Sequence, residues 1–241
     1  MTARLGEAYL PIPPVEAGQV LPSITSEYTE RVTLAGHSRI GIGPWIVNPA
    51  GELLILAHEA VREASKITAP GALSTMSETV RWVPSQTGSP RIMQPAETMW
   101  DGYSTEMGLI NPNRYGFRIK RVGGYLLHAC PVSLDNPKRT ILGIWPILYV
   151  SHEQAAQLTT DFVPTREVRE IGWMTPDEIS RRKSAEFRFN LKPWLMDGFE
   201  NDRFSYAVQD TTNLTLLPPD SLDKSADMDF HESAQRQTAA G

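Results

Sequence analysis

The stretch APGALSTMSET, residues 69–79, has the outline of a phosphate-handling loop. Pro70 and Gly71 set a turn, Ala72 is small, and the acid Glu78 follows six positions after Ala72. A turn built from Gly and small residues lets backbone N–H groups approach an anion with no side chain in the way. A second acid, Glu106, lies in DGYSTEMGL, residues 101–109. If loop and helix face each other, Glu78 and Glu106 form a carboxylate pair that can move a proton or hold a metal ion. The same acids would also suit a first-turn Glu and a solvated helix Glu, with no shared role.

Other residues could serve a ligand. NRYGFRIKR, residues 113–121, gathers Arg114, Arg118, Lys120 and Arg121. An arginine fork can grip phosphate through two parallel hydrogen bonds, and the alternative is a solvated basic hairpin. Trp82, Trp100 and Tyr103 could stack on a planar ring. Trp100 and Tyr103 also fit an apolar helix stripe, so Trp82 is the better stacking candidate. His128 and Cys130 alternate on one strand and project to the same face, as core residues or as a catalytic Cys–His pair. Glu167 and Glu170 could bring a further carboxylate from another element, or simply face solvent.

These residues need elements to hold them. GIGPWIVNPAGELLILAHE places two apolar runs around Asn48-Pro49-Ala50-Gly51, which predicts a β-hairpin. GYLLHACPVSL and TILGIWPILYVS are two further strands, expected to pair across a turn at Asp135-Asn136-Pro137. PAETMWDGYSTEMGL sets Met99, Trp100, Tyr103 and Met107 at helical spacing and stops at Gly108. SHEQAAQLTTDF reads as a helix capped by Ser151, and REVREIGWMTPDEISRR as a strand through Trp173 followed by a short helix capped by Thr175. Strands and helices alternate without a regular βαβ period, which points to an α+β fold with a sheet between helices.

The 241 residues carry a net charge of −5, with 41% hydrophobic and 21% charged side chains. That balance predicts a soluble protein, with no apolar run long enough to span a membrane and no basic cluster broad enough for nucleic acid. Cys130 is the one cysteine, so there is no internal disulfide, and a cytoplasmic location is expected. The expected partners are a small-molecule substrate or ligand and, as a homodimer, a second copy of the chain. Residues 1–24 are Pro-rich and read as an extended arm, residues 25–216 as one domain, and the polar stretch 217–241 as a disordered tail.

The order of these pieces resembles the Nudix (MutT-like) superfamily, over roughly residues 38–200. WIVNPAGELLIL is similar to the opening strand, turn and strand, and EVREIGWMTPDEI to the closing strand and helix. In the loop, Pro70 and Gly71 match, Ala72 stands at the second glycine and Glu78 at the loop acid; in the box helix, Glu106, Gly108 and Leu109 match. The resemblance implies an α/β/α sandwich around a mixed sheet, and a pocket rim near Arg114 and Arg118. It also implies hydrolase chemistry on a diphosphate with Mg²⁺ or Mn²⁺ as cofactor, Glu106 and Glu78 being the metal ligands that remain.

The box is degenerate. Twenty-two residues separate Glu78 from Asp101 where the family has seven, so the resemblance implies an insertion of some fifteen residues, RWVPSQTGSPR among them, inside the box. Carboxylates at helix positions i, i+3 and i+4 share a face and can jointly hold a divalent cation. Here those positions are Gly102, Thr105 and Glu106, so one acid stands where three are expected. The resemblance therefore implies an enzyme acting on a small phosphorylated or diphosphate-linked metabolite by modified chemistry, with Glu78 and Glu106 as catalytic residues. Gly71, Ala72, Trp82, Tyr103, Arg114, Arg118 and His128 are its ligand contacts. Gly102 is expected to open room for a ligand. A non-catalytic binding or sensor protein of the same fold is the alternative.

Overall fold

Three apolar runs, WIV, LLIL and ILGIWPILY, are too uniformly apolar to have one wet face, and the computed structural model buries each of them on both sides. The structure describes residues 21, 23–58, 72–85, 88–109, 118–128, 140–188, 191–202 and 204, with 118–128 and 140 described by their backbone. Among these, eight strands form one mixed sheet.

The long strand β9 (Thr140–Tyr149) is its centre. Strand β8 (Arg118–His128) runs antiparallel along one edge, and β1 (His37–Ile42) and β2 (Trp45–Val47) run parallel to it in succession along the other. Pro146 has no N–H to give to either neighbour, and both neighbours depart from regular pairing beside it. On one side β8 slips register between Val122 and Tyr125; on the other, Gly43 and Pro44 separate β1 from β2. A Cβ on Gly43 would lie 2.2 Å from the Trp145 ring and 2.6 Å from the Met76 carbonyl, so only glycine fits that corner.

Beyond the corner the sheet divides. β1 pairs with the short β5 (Glu78–Thr79), while β2 pairs with β3 (Leu53–His58), which pairs in turn with β10 (Val168–Met174) and with β4 (Leu73–Ser74). The expected hairpin is the β2–β3 pair. Asn48 shapes its turn by accepting the N–H groups of Ala50 and Glu52 at 3.0 Å each.

Alternate side chains fill two cores. Leu54, Leu56, Ile144 and Leu148 face a core shared with α1 (Ser26–Leu34), α2 (Pro95–Thr105) and α3 (His152–Asp161). Leu53, Ile55, Trp145 and Ile147 face a second core shared with α4 (Pro176–Arg181) and α5 (Lys192–Glu200). Helices thus cover both faces of the sheet, as expected. Ser151 and Thr175 cap α3 and α4 by accepting N–H groups three residues on, again as expected. The helices α1 and α5 are additions to the sequence reading.

The insertion forms a small antiparallel hairpin, β6 (Trp82–Val83) with β7 (Arg91–Ile92). Two ion pairs tie it to α2: Arg81 to Asp101, and Arg91 to Glu97 through both guanidinium arms at 2.6 and 2.8 Å. The β8–β9 pair forms as expected, but β8 begins at Arg118, well before GYLLHACPVSL. The Asp135-Asn136-Pro137 turn lies outside the described residues, as do the arm but for its last residues and the whole tail.

Candidate functional site

The box-like helix, α2, starts where Gln94 donates its backbone N–H to Glu97 at 2.7 Å. It ends before Gly108, whose φ of +62° is left-handed and whose Cβ, if present, would sit 2.4 Å from the Val163 carbonyl. The apolar stripe turns Met99, Tyr103 and Met107 into the core. Tyr103 is fully buried there, with its hydroxyl pushed well above its ordinary range by desolvation. Its proposed place at a ligand is therefore corrected: the same helical spacing that marks the stripe commits Tyr103 to the core.

The helix face flanking this stripe meets the loop at three positions. A Cβ on Gly102 would stand 3.2 Å from Met76 Sδ and 3.3 Å from Glu78 Cβ. The Thr105 hydroxyl, which donates to the Asp101 carbonyl at 2.9 Å, lies 3.4 Å from Glu78 Oε2, and the Ser77 backbone N–H donates to Glu106 Oε2 at 3.1 Å. Gly102, Thr105 and Glu106 thus do share one face, and that face is pressed on residues 76–78. The space beside Gly102 belongs to Met76, itself buried, so the expectation of room for a ligand there is also corrected.

Burial dominates the electrostatics. It pushes the Glu106 carboxyl up to about 8; the negative charges of Glu78 and Glu167 add to the rise, while the Ser77 N–H and Arg188 oppose it. Glu78 is also raised by burial and by the charges of Asp101 and Glu167, against the Thr79 N–H and Arg81. Asp101 is raised by burial, against Arg81. Glu167, one of the two acids singled out on the closing strand, therefore acts on both box carboxyls. Glu170 sits opposite Ala57 in the β10–β3 ladder and is exposed.

A buried polar cluster that the sequence reading missed anchors the loop. His58, at the end of β3, donates its backbone N–H to the Ala72 carbonyl at 3.0 Å. Its ring lies between Ser74 Oγ, 2.5 Å from Nε2, and Arg188 Nη1, 2.6 Å from Nδ1. Arg188 Nη1 also lies 3.1 Å from Nε2, so the guanidinium reaches both ring nitrogens. Burial and the Arg188 charge lower His58 to about 3, against a backbone hydrogen bond with Glu167, so the imidazole stays neutral. A Ser–His pair facing an arginine does not activate a nucleophile, because the imidazolium that would form is repelled. The cluster positions the loop, and a bridge between Leu73 and Phe187 adds to the same anchorage.

Of the other candidates, Ala72 is buried in this backbone pairing, and Trp82 is exposed on the inserted hairpin. Trp100 packs against the core. Arg118 and His128 pair with Tyr149 and Ile141 in the β8–β9 ladder. Strands β9 and β1 stand between them and Glu78. Pro70, Gly71, Arg114 and Cys130 lie outside the described residues. Among the described residues no group of three or more His, Cys, Asp or Glu is placed to hold a metal ion. None of the described helices is long and apolar enough to cross a membrane.

No protein-family model matches the sequence, and no curated protein matches it. Solved structures do. The chain is similar to a MutT protein from Methanosarcina mazei Go1, at 15% identity and a TM-score of 0.43, over 68% of this chain and 94% of that one. A NUDIX hydrolase from Nitrosomonas europaea matches at 13% identity and a TM-score of 0.43, over 73% and 97%. A NUDIX-family hydrolase from Clostridium perfringens matches at 12% identity and a TM-score of 0.39, over 68% and 97%. The fold of this chain is α+β, a mixed sheet between helices.

Proposed function

We propose that this Nudix-like chain acts on a small phosphorylated or diphosphate-linked metabolite through a two-carboxylate site, with Glu78 as the proton-transferring group. One observation carries this reading. Ser77 N–H donates to Glu106, and Glu78 lies 3.4 Å from the Thr105 hydroxyl, so the partly buried loop acid and the buried Glu106 meet at one loop–helix junction. A carboxyl raised above its ordinary value is better matched to proton transfer near neutrality than a solvated one. Glu78 would take a proton from a water as its oxygen attacks phosphorus, and the bond to the leaving phosphate oxygen would break.

Mg²⁺ or Mn²⁺ suits this donor set poorly. Both favour several oxygen ligands, whereas Gly102 and Thr105 supply no carboxylate beside Glu106. The proposed mechanism therefore routes no step through a metal. Turnover across a panel of nucleoside diphosphate derivatives, with and without EDTA, tests the reading. Activity that survives EDTA and falls about 100-fold or more in Glu78→Gln supports it. Complete loss in EDTA with rescue by Mg²⁺ overturns the metal-poor mechanism.

A second reading, a non-catalytic binding or sensor protein, is favoured by the Met76 side chain filling the Gly102 face. No turnover on the panel, together with a ligand-dependent rise in melting temperature, would select it.

A further inference from the structure

The insertion builds a groove that the box site does not use. It lies between α1, β1 and the inserted hairpin, has a volume of about 160 Å³, and is lined by Thr29, Ser38, Arg39, Arg81 and Trp82 over a floor that includes Val32 and Ile92. No acid lines it, although the protein as a whole is negative, and two of its lining residues are arginines.

The two arginines differ. Arg81 is committed to Asp101, whereas Arg39 is exposed and makes no hydrogen bond or ion pair among the described residues. Trp82 leaves 56% of its surface to solvent, and the other large exposed apolar side chains, Leu34 and Val163, are not part of the lining. An exposed indole beside an unengaged guanidinium offers a stacking face and an anion site together. The volume admits one small ring system.

We propose that this groove binds a small aromatic anion, with the ring stacked on Trp82 and the phosphate or carboxylate paired with Arg39. The site is defined by binding and does not depend on turnover at Glu78.

Calorimetry with phenyl phosphate, phenol and inorganic phosphate tests it on the full chain. Phenyl phosphate should bind saturably and about 10-fold or more tighter than phenol or phosphate alone, because only it engages both groups. Trp82→Ala should weaken phenyl phosphate about 5-fold or more, and Arg39→Met should erase its advantage over phenol. Both side chains are exposed, so the variants should keep the parent melting temperature. Absence of saturable binding, or equal binding by the parent and both variants, overturns the proposal. Sedimentation provides the other opposing outcome. If the parent self-associates and Trp82→Ala abolishes this, the groove is a contact between copies and the ligand assignment fails.

Discussion

The Ser77 backbone N–H donates to Glu106 Oε2 at 3.1 Å, joining two positions 29 residues apart. This bond fixes the loop against the end of α2, and it is made to a carboxyl that burial keeps protonated up to about pH 8.

Stability should therefore fall as pH rises through this window. The folded state holds the Glu106 proton to about 8, against an ordinary value of 4.5, so between those values it binds more protons than the unfolded chain. Deprotonation favours unfolding over that range. Glu106→Gln keeps an oxygen acceptor for Ser77 and carries no charge. Denaturant melts should show the variant gaining on the parent from pH 5 to pH 8, and a constant difference would mean that Glu106 is ionised in the fold.

Gly102→Glu should destabilise the protein by about 1–3 kcal/mol despite the better helix propensity of Glu. The new side chain must displace Met76 and point an acid at Glu78. In a Met76→Ala background the cost of Gly102→Glu should shrink by about 1 kcal/mol or more, since the two sites are in contact. Additivity of the two changes would remove Met76 as the obstacle.

The Arg81–Asp101 pair should show strong coupling. Asp101 is nearly buried and Arg81 is partly exposed, so Arg81→Met strands a carboxylate at a cost of about 1–3 kcal/mol. Adding Asp101→Asn should recover most of that loss. If the double variant is as unstable as the two single losses summed, the pair does not hold the hairpin to α2.

Ser74→Ala should cost about 1–3 kcal/mol by removing the hydroxyl that pairs with buried His58 Nε2. His58, lowered to about 3 from 6.5, should also make the parent acid-sensitive. Between those values the unfolded chain binds more protons, so stability is lost as pH falls through this range. Replacing His58 with Asn should flatten that acid limb, and an unchanged limb would assign the sensitivity elsewhere.

Local signals in the sequence locate what is local in the structure. The Asn48–Gly51 turn, the Ser151 and Thr175 caps and the Gly108 stop each occur where the residues place them, because a turn or a cap is decided within a few positions. Contacts between distant segments leave no such trace. Nothing about His58 or Ser74 in sequence marks them as partners of Arg188, which lies 130 residues from His58. The facing of Glu78 and Glu106 was legible only through motif order, and the filling of the Gly102 space by Met76 was not legible at all. The helix α1 did carry signals, in the Thr25 cap and the acid Glu27, yet the neighbouring Pro-rich arm obscured them.

The parallel ladder from His37–Thr140 to Ile42–Ile144 sets an order of assembly. The partners are about a hundred residues apart, and at typical synthesis rates of about 5–20 residues per second β9 follows β1 out of the ribosome by about 5–20 s. Until then Ile40, Ile42, Trp45 and Ile46 have no central strand to rest on, although all four are buried in the finished fold. A nascent chain halted short of β9 presents an open apolar strand edge, the form of surface that pairs with other chains. The late-arriving β9 is thus the strand that closes this edge, pairing with both β1 and β2.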